Sequence, residues 1–160
     1  MKTARLGANE LGGYMNAHGI HGEILQLSVP TPTVETAAQA VSALPDQIIK
    51  SILFIVDEKP VLAVACGKSS IRSRAIADLF GVCKKRVRLA TPEMVLEISG
   101  YEVGAMPPFG HRQPLTTLID PKVLDLSEAY AGGGAENALL RLNPQDILRV
   151  TGAQVLDMLE

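Results

Sequence analysis

Residues 48–56 constrain the fold more than any other stretch of this sequence. They are almost all apolar and rich in β-branched side chains, which is typical of a buried strand. The polar triplet Asp57-Glu58-Lys59 follows, and a second apolar run covers residues 61–65. Two apolar runs joined by so short a polar segment predict an antiparallel β-hairpin. The rest of the chain must therefore build a sheet around this hairpin.

Helix and strand patterns alternate irregularly on either side of the hairpin. Thr33 and Thr91 are predicted to cap helices, and Ser69 or Ser70 is predicted to cap a helix that ends at Gly81. The remaining patterns predict a helix within 1–17, strands at 23–29, 87–90, 115–120, 123–126 and 137–142, and a helix start at 143–146. This order predicts a mixed α/β fold with a mixed sheet, and not a doubly wound parallel sheet.

Composition limits the classes of partner. The chain has 160 residues, as expected for one domain, and its net charge is -2. Such a chain has no overall attraction to nucleic acid, so any contact with RNA would have to come from a local basic patch. The absence of tryptophan and the 4% content of aromatic residues argue against a sheet that stacks bases.

The sequence also predicts a cytoplasmic protein without a membrane partner. Residues 1–9 contain no apolar run of signal-peptide length, and no apolar stretch is long enough to span a bilayer. Cys66 and Cys83 then fit reduced thiols better than a disulfide. His18, His21 and Glu23 could bind a metal, but with three histidines in all this ligand set is weak. No metal and no cofactor is therefore expected.

Lys50 is the strongest candidate for a functional side chain. In a strand over residues 48–56 it shares one face with four apolar side chains, Ile48, Ile52, Phe54 and Val56. A lysine on such a face must reach solvent with its ammonium group, find a partner or lose its proton. Two interpretations remain open. Lys50 reaches solvent, or it points into a pocket as a hydrogen-bond donor, an electrostatic anchor or a desolvated base.

Two glycine-rich segments could bring the backbone close to a ligand. Residues 100–111 contain three glycines and two prolines, which predicts a stiff turn whose amides could hold an oxyanion or carboxylate. An ordinary surface loop is equally consistent with that composition. The second segment, Gly132-Gly133-Gly134, could approach a ligand or serve as a flexible linker between two strands.

Two further features have weaker functional readings. Lys84, Lys85, Arg86 and Arg88 form a compact basic run, usually a solvated turn, but here the obvious place for a phosphate backbone to dock. Cys66 could act as a nucleophile with His111. Because Cys66 follows the apolar run 61–65, a buried structural thiol is the better interpretation.

Taken in order, these segments resemble the YbaK and prolyl-tRNA-synthetase-associated domain family. The segments that carry the resemblance are TVE at 33–35, IKSILF at 49–54, PVLAV at 60–64, VRLATPE at 87–93, the stretch 100–110, GGG at 132–134 and LNPQD at 142–146. It extends from about Thr33 to the C-terminus. It implies a barrel-like mixed β-sheet flanked by helices, as one editing domain over residues 1–160 in which the helix and strand of 1–32 are less certain.

The resemblance also implies a site. Studied members of the family hydrolyse the ester between a wrong amino acid and its tRNA, within a synthetase or as free-standing proteins. Their key lysine lies in the first long strand, here at Lys50, and a Gly-x-x-x-Pro loop faces it, here from Gly104 to Pro108. Pro108, Phe109, Gly110, Gly132, Gly133 and Gly134 are expected to contact substrate. The basic run of Lys84, Lys85, Arg86 and Arg88 is a candidate contact to tRNA because of its charge.

The expected function is therefore that of a trans-editing hydrolase. Its substrate would be an aminoacyl-tRNA that carries a wrong small amino acid, with tRNA-Pro as the candidate acceptor and a synthetase as a candidate partner. Some editing members carry a histidine near the late glycine motif, where this chain has Gly134-Ala135-Glu136-Asn137. The alternative is a non-catalytic module that binds tRNA or a small ligand in the same pocket. The sequence does not determine the oligomeric state.

Overall fold

The computed structural model of the chain describes residues 5–160. The helices in this part are α1 (Ala8–Ala17), α2 (Val34–Val41), α3 (Ser73–Phe80), α4 (Pro92–Ser99), α5 (Pro121–Leu124) and α6 (Gln145–Thr151). The strands are β1 (Glu23–Gln26), β2 (Ile49–Val56), β3 (Lys59–Cys66), β4 (Val87–Leu89), β5 (Thr116–Ile119), β6 (Ala129–Gly132), β7 (Ala138–Leu142) and β8 (Gln154–Val155). Short 3₁₀ turns cover Pro45–Gln47 and Lys84–Arg86.

β2 and β3 form the predicted antiparallel hairpin. Their register runs from the pair Ile49–Cys66 to the pair Val56–Lys59. The hairpin lies at the centre of a five-stranded sheet with the order β4-β2-β3-β5-β8. β5 runs parallel to β3 and to β8, whereas β2 is antiparallel to both of its neighbours. The prediction of a mixed sheet is therefore confirmed.

β1, β7 and β6 form a second, antiparallel sheet with β7 in its centre. A parallel bridge between Ile48 and Tyr130 connects the start of β2 to this sheet. α2 contributes Ala37 and Ala38 to a small apolar cluster with Ile48, Tyr130 and Leu139. The mixed α/β fold flanked by helices is confirmed, and within residues 5–160 its strands form two sheets instead of a closed barrel.

Most of the predicted capping residues lie at the ends of helices in the structure. Thr33 accepts a hydrogen bond from the amide of Thr36, and Thr91 accepts one from the amide of Met94, as N-caps do. Gly81 and Gly100 end α3 and α4 in the left-handed conformation that favours glycine. The predicted caps at Ser69 or Ser70 are wrong, because Ile71 first forms a bridge with Leu159 and the helix begins only at Ser73.

Three other elements differ from the predictions. The strand expected at 123–126 is wrong, because Asp120 caps a short helix, α5, and Pro121 opens it. β6 and β8 were not predicted. The strand expected over 23–29 ends at Gln26, and the helix expected within 1–17 begins at Ala8, while residues 1–4 lie outside the described part.

The main hydrophobic core joins residues from both ends of the described chain. Leu11 of α1, Leu62 of β3 and Met158 near the C-terminus are fully buried in one cluster. This packing holds β2 and β3 in the interior, so that the residues around Lys50 have fixed surroundings. Among the described helices, none is both long enough and apolar enough to cross a membrane.

Candidate active site

Lys50 lies near the start of β2, opposite Ala65 of β3, and its side chain is partly exposed. Its ammonium group donates a hydrogen bond of 2.5 Å to the carbonyl oxygen of Ser69, in the turn that follows β3. No carboxylate of residues 5–160 forms an ion pair with Lys50. Lys50 is thus a cation held by a neutral carbonyl, and an anionic or hydroxyl group of a ligand could compete for it.

The surroundings of Lys50 disfavour its charged form. Burial lowers the pKa of the Lys50 ammonium below its ordinary value of 10.5, and a negative charge on Cys66 would oppose that shift. Cys66 itself is buried, and burial raises the pKa of its thiol, as do the carboxylates of Asp46 and Asp120. A thiol that resists ionisation is a poor nucleophile, which argues against a thiol-dependent mechanism.

Gly104 borders a cavity of about 280 Å³ at the edge of β2. Its wall consists of Ser51, Ile52, Leu53, Leu89, Ala90, Pro92, Val95, Val103, Gly104 and Met106. Gly104 has a φ angle of +86°, and no atom lies within 4 Å of the position that a Cβ would take there. The glycine is therefore required by its backbone conformation and not by lack of space, and its surface is open to a ligand.

Lys50 does not itself line the Gly104 cavity, although its neighbour Ser51 does. The carbonyl that Lys50 contacts belongs to Ser69, which lines a different cavity of about 290 Å³ together with Cys66 and Lys122. The cavity beside Gly104 and the cavity beside the Lys50 partner Ser69 have no lining residue in common. A common cleft for Lys50 and Gly104 remains a prediction.

The glycine run after β6 is packed against the Gly104 loop. A Cβ on Gly132 would lie 2.4 Å from the carbonyl oxygen of Met106, and the amide of Gly134 donates to the carbonyl of Ala105 at 2.9 Å. A Cβ on Gly133 would collide with the backbone of Ala138. The close backbone approach here is between two parts of the protein, so the run is not a loose linker. Direct contact with substrate remains a prediction for these glycines.

The remaining part of the loop, from Pro107 to His111, is braced on its inner side. Pro108 and Phe109 are buried, and the Phe109 ring stacks on Tyr14 with ring centres 5.5 Å apart. His111 Nε2 lies 2.7 Å from the carbonyl oxygen of Pro107, as expected if the ring donates a hydrogen bond there. Phe109 and Gly110 line a third cavity of about 270 Å³. The substrate contacts expected from Pro108, Phe109 and Gly110 also remain predictions.

The basic run lies directly before the cavity wall. Lys84, Lys85 and Arg86 form a 3₁₀ turn, and Arg88 follows on β4, with all four side chains exposed. Arg86 pairs with Asp57 at 3.7 Å, whereas the other three form no ion pair among residues 5–160. The next residue, Leu89, lines the Gly104 cavity. The basic run therefore adjoins the cavity wall in sequence, and the tRNA contact expected from it remains a prediction.

The described residues contain no cluster of three or more histidine, cysteine, aspartate or glutamate side chains that could hold a metal ion.

Comparison with known families identifies the family of this chain. The model of the aminoacyl-tRNA editing domain matches residues 28–150. The chain belongs to this family of editing domains. The resemblance that the order of the motifs indicates is therefore confirmed.

Individual relatives of this editing domain show the same relationship. The crystal structure of a candidate trans-editing enzyme for prolyl tRNA synthetase matches it with a TM-score of 0.88 and 36% identity over 96% of each chain. The protein YwhH of Bacillus subtilis is 25% identical over 134 residues, 83% of each protein. The proline–tRNA ligase of Streptococcus gordonii is 29% identical over 135 residues, which are 82% of this chain. The chain spans only 22% of that ligase.

Sequence reasoning did not single out Ser51, Leu89 and Val103 of the editing domain, which all line the Gly104 cavity. The sequence does offer an indication for Ser51, because it places a hydroxyl group within an otherwise apolar strand. Its Oγ is buried and has no hydrogen-bond partner in the described part of the chain. An unsatisfied buried hydroxyl costs about 1–3 kcal/mol, so its presence in a cavity wall needs an explanation. Nothing in the sequence indicates Leu89 or Val103 as site residues, since single exposed apolar residues are ordinary.

Proposed function

We propose that this editing domain hydrolyses, in trans, the ester that joins a wrong small amino acid to a tRNA, with tRNA-Pro as its acceptor. The observation that carries the proposal is Lys50. It is a partly buried cation whose only hydrogen-bond partner among residues 5–160 is a carbonyl, and it directly precedes a residue of the Gly104 cavity wall. The likeness to a candidate trans-editing enzyme and to a segment of proline–tRNA ligase supports this choice of substrate.

The proposed reaction needs water but no covalent nucleophile. Water attacks the carbonyl carbon of the aminoacyl ester, and the bond between that carbon and the ribose oxygen breaks. The ribose oxygen leaves with one proton of the water as the terminal hydroxyl group of the tRNA, the second proton passes to solvent, and the amino acid leaves as its carboxylate. This ester is intrinsically labile, so the protein has to position the reactants and stabilise the oxyanion.

Lys50 and Gly104 have distinct roles in this proposal. Lys50 exchanges its bond to the Ser69 carbonyl for one to the terminal ribose or phosphate of the tRNA and so positions the ester. The amide at Gly104, in a loop held by Gly134 and His111, donates to the oxyanion. One such donor typically contributes about 10²–10³ in rate.

The test is a panel of mischarged tRNAs. Alanine, cysteine and serine are each attached to tRNA-Pro and to their own tRNAs, and prolyl-tRNA-Pro serves as the correctly charged control. We expect hydrolysis of at least one small amino acid on tRNA-Pro, with slower loss of proline. Wild-type protein that releases no amino acid from any substrate would contradict the proposal.

A non-catalytic binding module is the competing function. Three cations of the basic run form no ion pair within residues 5–160, which favours RNA binding under either function. The same panel separates the two functions. If neutralising Lys84, Lys85 and Arg88 abolishes tRNA binding and no ester is cleaved by wild-type protein, the domain is a binding module. Retained hydrolysis in Cys66→Ser is expected, because the buried thiol has no role in the proposed mechanism.

A further inference from the structure

Residues 5–14 hold the beginning of the Gly104 loop, which covers residues 100–111. The amide of Leu6 donates a hydrogen bond of 2.8 Å to the carbonyl oxygen of Gly100. A Cβ on Gly100 would lie 2.7 Å from the Leu6 side chain, so the two residues are in close contact. Arg5 also forms an ion pair of 3.0 Å with Glu102, but both side chains are exposed and the pair adds little. The backbone bond and the close packing therefore fix where the loop begins.

The other end of the loop is in contact with the same segment. The ring of Tyr14, in α1, stacks on Phe109 with ring centres 5.5 Å apart. A Cβ on Gly110 would lie 3.1 Å from the Tyr14 ring, so the ring packs directly on the backbone there. Between these two ends, Gly104 has open space around the position of a Cβ. The loop is therefore held at both ends and is open to a ligand at Gly104.

A third contact lies directly beside Gly104. Ala105, the next residue, accepts a hydrogen bond of 2.9 Å from the amide of Gly134. A Cβ on Gly134 would lie 2.8 Å from the amide nitrogen of Ala8 and 2.9 Å from the carbonyl carbon of Gly7. Gly134 thus contacts both the start of α1 and the Gly104 loop. A shift of the start of α1 would displace Gly134 and, with it, the residue that follows Gly104.

α1 is firmly attached to the rest of the protein. Leu11 is fully buried in the main core, and Met15 is nearly so. Beyond the end of the helix, Arg149 of α6 donates hydrogen bonds to the carbonyl oxygens of His18 and Gly19, at 3.0 and 3.2 Å. Buried side chains in a close-packed core have few alternative positions. The segment can therefore hold the Gly104 loop in one place.

From these contacts we propose that residues 5–14 position the amide of Gly104 for the reaction. Leu6 and Tyr14 are the positioning residues, one at each end of the loop, and neither lines the Gly104 cavity. The inference rests on the proposed function, in which that amide donates to the oxyanion. A misplacement of about 1 Å in such a group can cost about 10²-fold in rate. The family match begins at residue 28, so it assigns no role to this segment.

The test combines kinetics with hydrogen exchange in the full-length protein. Leu6→Ala and Tyr14→Leu each remove one of the packing contacts at the ends of the loop. Each should lower kcat for deacylation by about tenfold and change KM by less than about twofold, because the contacts with substrate remain. Exchange of the Ala105 and Gly134 amides should become about tenfold faster, since both amides are hydrogen-bonded to the loop. Leu6→Met and Tyr14→Phe keep the packing and should restore the wild-type values.

The matched control is Met15→Ala, on the same helix. Met15 is more deeply buried than Leu6 or Tyr14, and its side chain ends 3.0 Å from the position of a Cβ on Gly22, outside the loop. The control should lower the melting temperature at least as much as the two test variants, and leave kcat and the exchange of both amides close to wild type.

Wild-type kcat and exchange in Leu6→Ala and Tyr14→Leu, or an equal loss of kcat in Met15→Ala, overturns the inference. The exchange measurement needs no substrate. It therefore decides whether residues 5–14 hold the loop even where wild-type protein releases no amino acid, a result that would contradict the proposed function instead.

Discussion

Gly104 and Gly132 are both needed beside the candidate site, but for different physical reasons. Gly104 has a φ angle of +86° and open space around the position of a Cβ. A Cβ on Gly132 would lie 2.4 Å from a carbonyl oxygen, closer than atoms can approach. An added methyl group at Gly104 therefore costs only backbone strain, whereas the same change at Gly132 would push the two loops apart.

The change Gly104→Ala tests whether this position acts in catalysis. The left-handed conformation costs an alanine about 1–2 kcal/mol, so the protein should remain folded with a modest loss of stability in urea. Deacylation should fall by about tenfold or more, because strain in the turn displaces the amide that donates to the oxyanion.

Gly152→Ala is the matched control for that change. Gly152 has a φ of +63° and equally open surroundings, but it ends α6, outside the Gly104 cavity. It should lose similar stability and keep its activity. If both variants lose activity to the same extent, Gly104 has no special role in the reaction.

At the scale of elements, residues 100–111 are the loop that joins the candidate site to the rest of the fold. The ring of His111 bonds to Pro107, and Gly134 bonds to Ala105 from the neighbouring sheet. Burial lowers the pKa of His111 below its ordinary value of 6.5, and the bond to Pro107 opposes this shift. Burial outweighs that bond, so the folded protein favours neutral His111, whose Nε2 proton can still be donated to Pro107.

This pKa predicts a loss of stability in mild acid. His111 binds its proton less readily in the folded state than in the unfolded state, so its contribution is complete above pH 6.5 and is lost as the pH falls through the lower folded pKa. His111→Gln keeps a donor for Pro107 but cannot titrate, so urea unfolding between pH 7 and pH 5 should show a flatter decline than in wild type. His21→Gln, at an exposed position, should not change the wild-type slope. Identical slopes for wild type and His111→Gln would refute the role of His111.

Elements were predictable from sequence wherever a local signal decided the structure. The hairpin followed from two apolar runs and a polar turn, and Thr33 and Thr91 capped their helices. The start of α3 was not predictable, because the bridge from Ile71 to Leu159 joins residues distant in sequence. β6 was missed since its sequence, AYAG, has little β-propensity and depends on pairing with β7.

At the scale of the whole molecule, the site forms only after distant segments meet. Lys50 and Gly104 are candidates because of a lysine in an apolar strand, a glycine–proline loop and the resemblance to editing domains, and their roles stay predictions. The cavity could not be predicted, because its wall combines β2, the end of β4 with the next residue, α4 and the Gly104 loop. Which loops pack together, as Gly132 does against Met106, is likewise decided by tertiary contacts.

Net charge leads to a prediction for tRNA binding. The chain as a whole carries a charge of -2, so attraction to tRNA must come from the exposed basic run. Neutralising Lys84, Lys85 and Arg88 together should raise KM, leave kcat nearly unchanged, and reduce the dependence of log KM on log salt by about one for each lost phosphate contact. Arg141→Ala, which removes a cation from β7 in the other sheet, is the control. A salt dependence equal to that of wild type would place the tRNA elsewhere.

The central claim is that Lys50 positions the ester, and single-turnover deacylation by Lys50→Met tests it most directly. Methionine keeps much of the side-chain length without the charge. Because burial disfavours the charged form of Lys50, the variant should melt at the wild-type temperature or above it. On the best substrate of the mischarged panel, the rate at saturating protein should fall by about 10² or more. A folded Lys50→Met protein that deacylates at the wild-type rate would contradict the account.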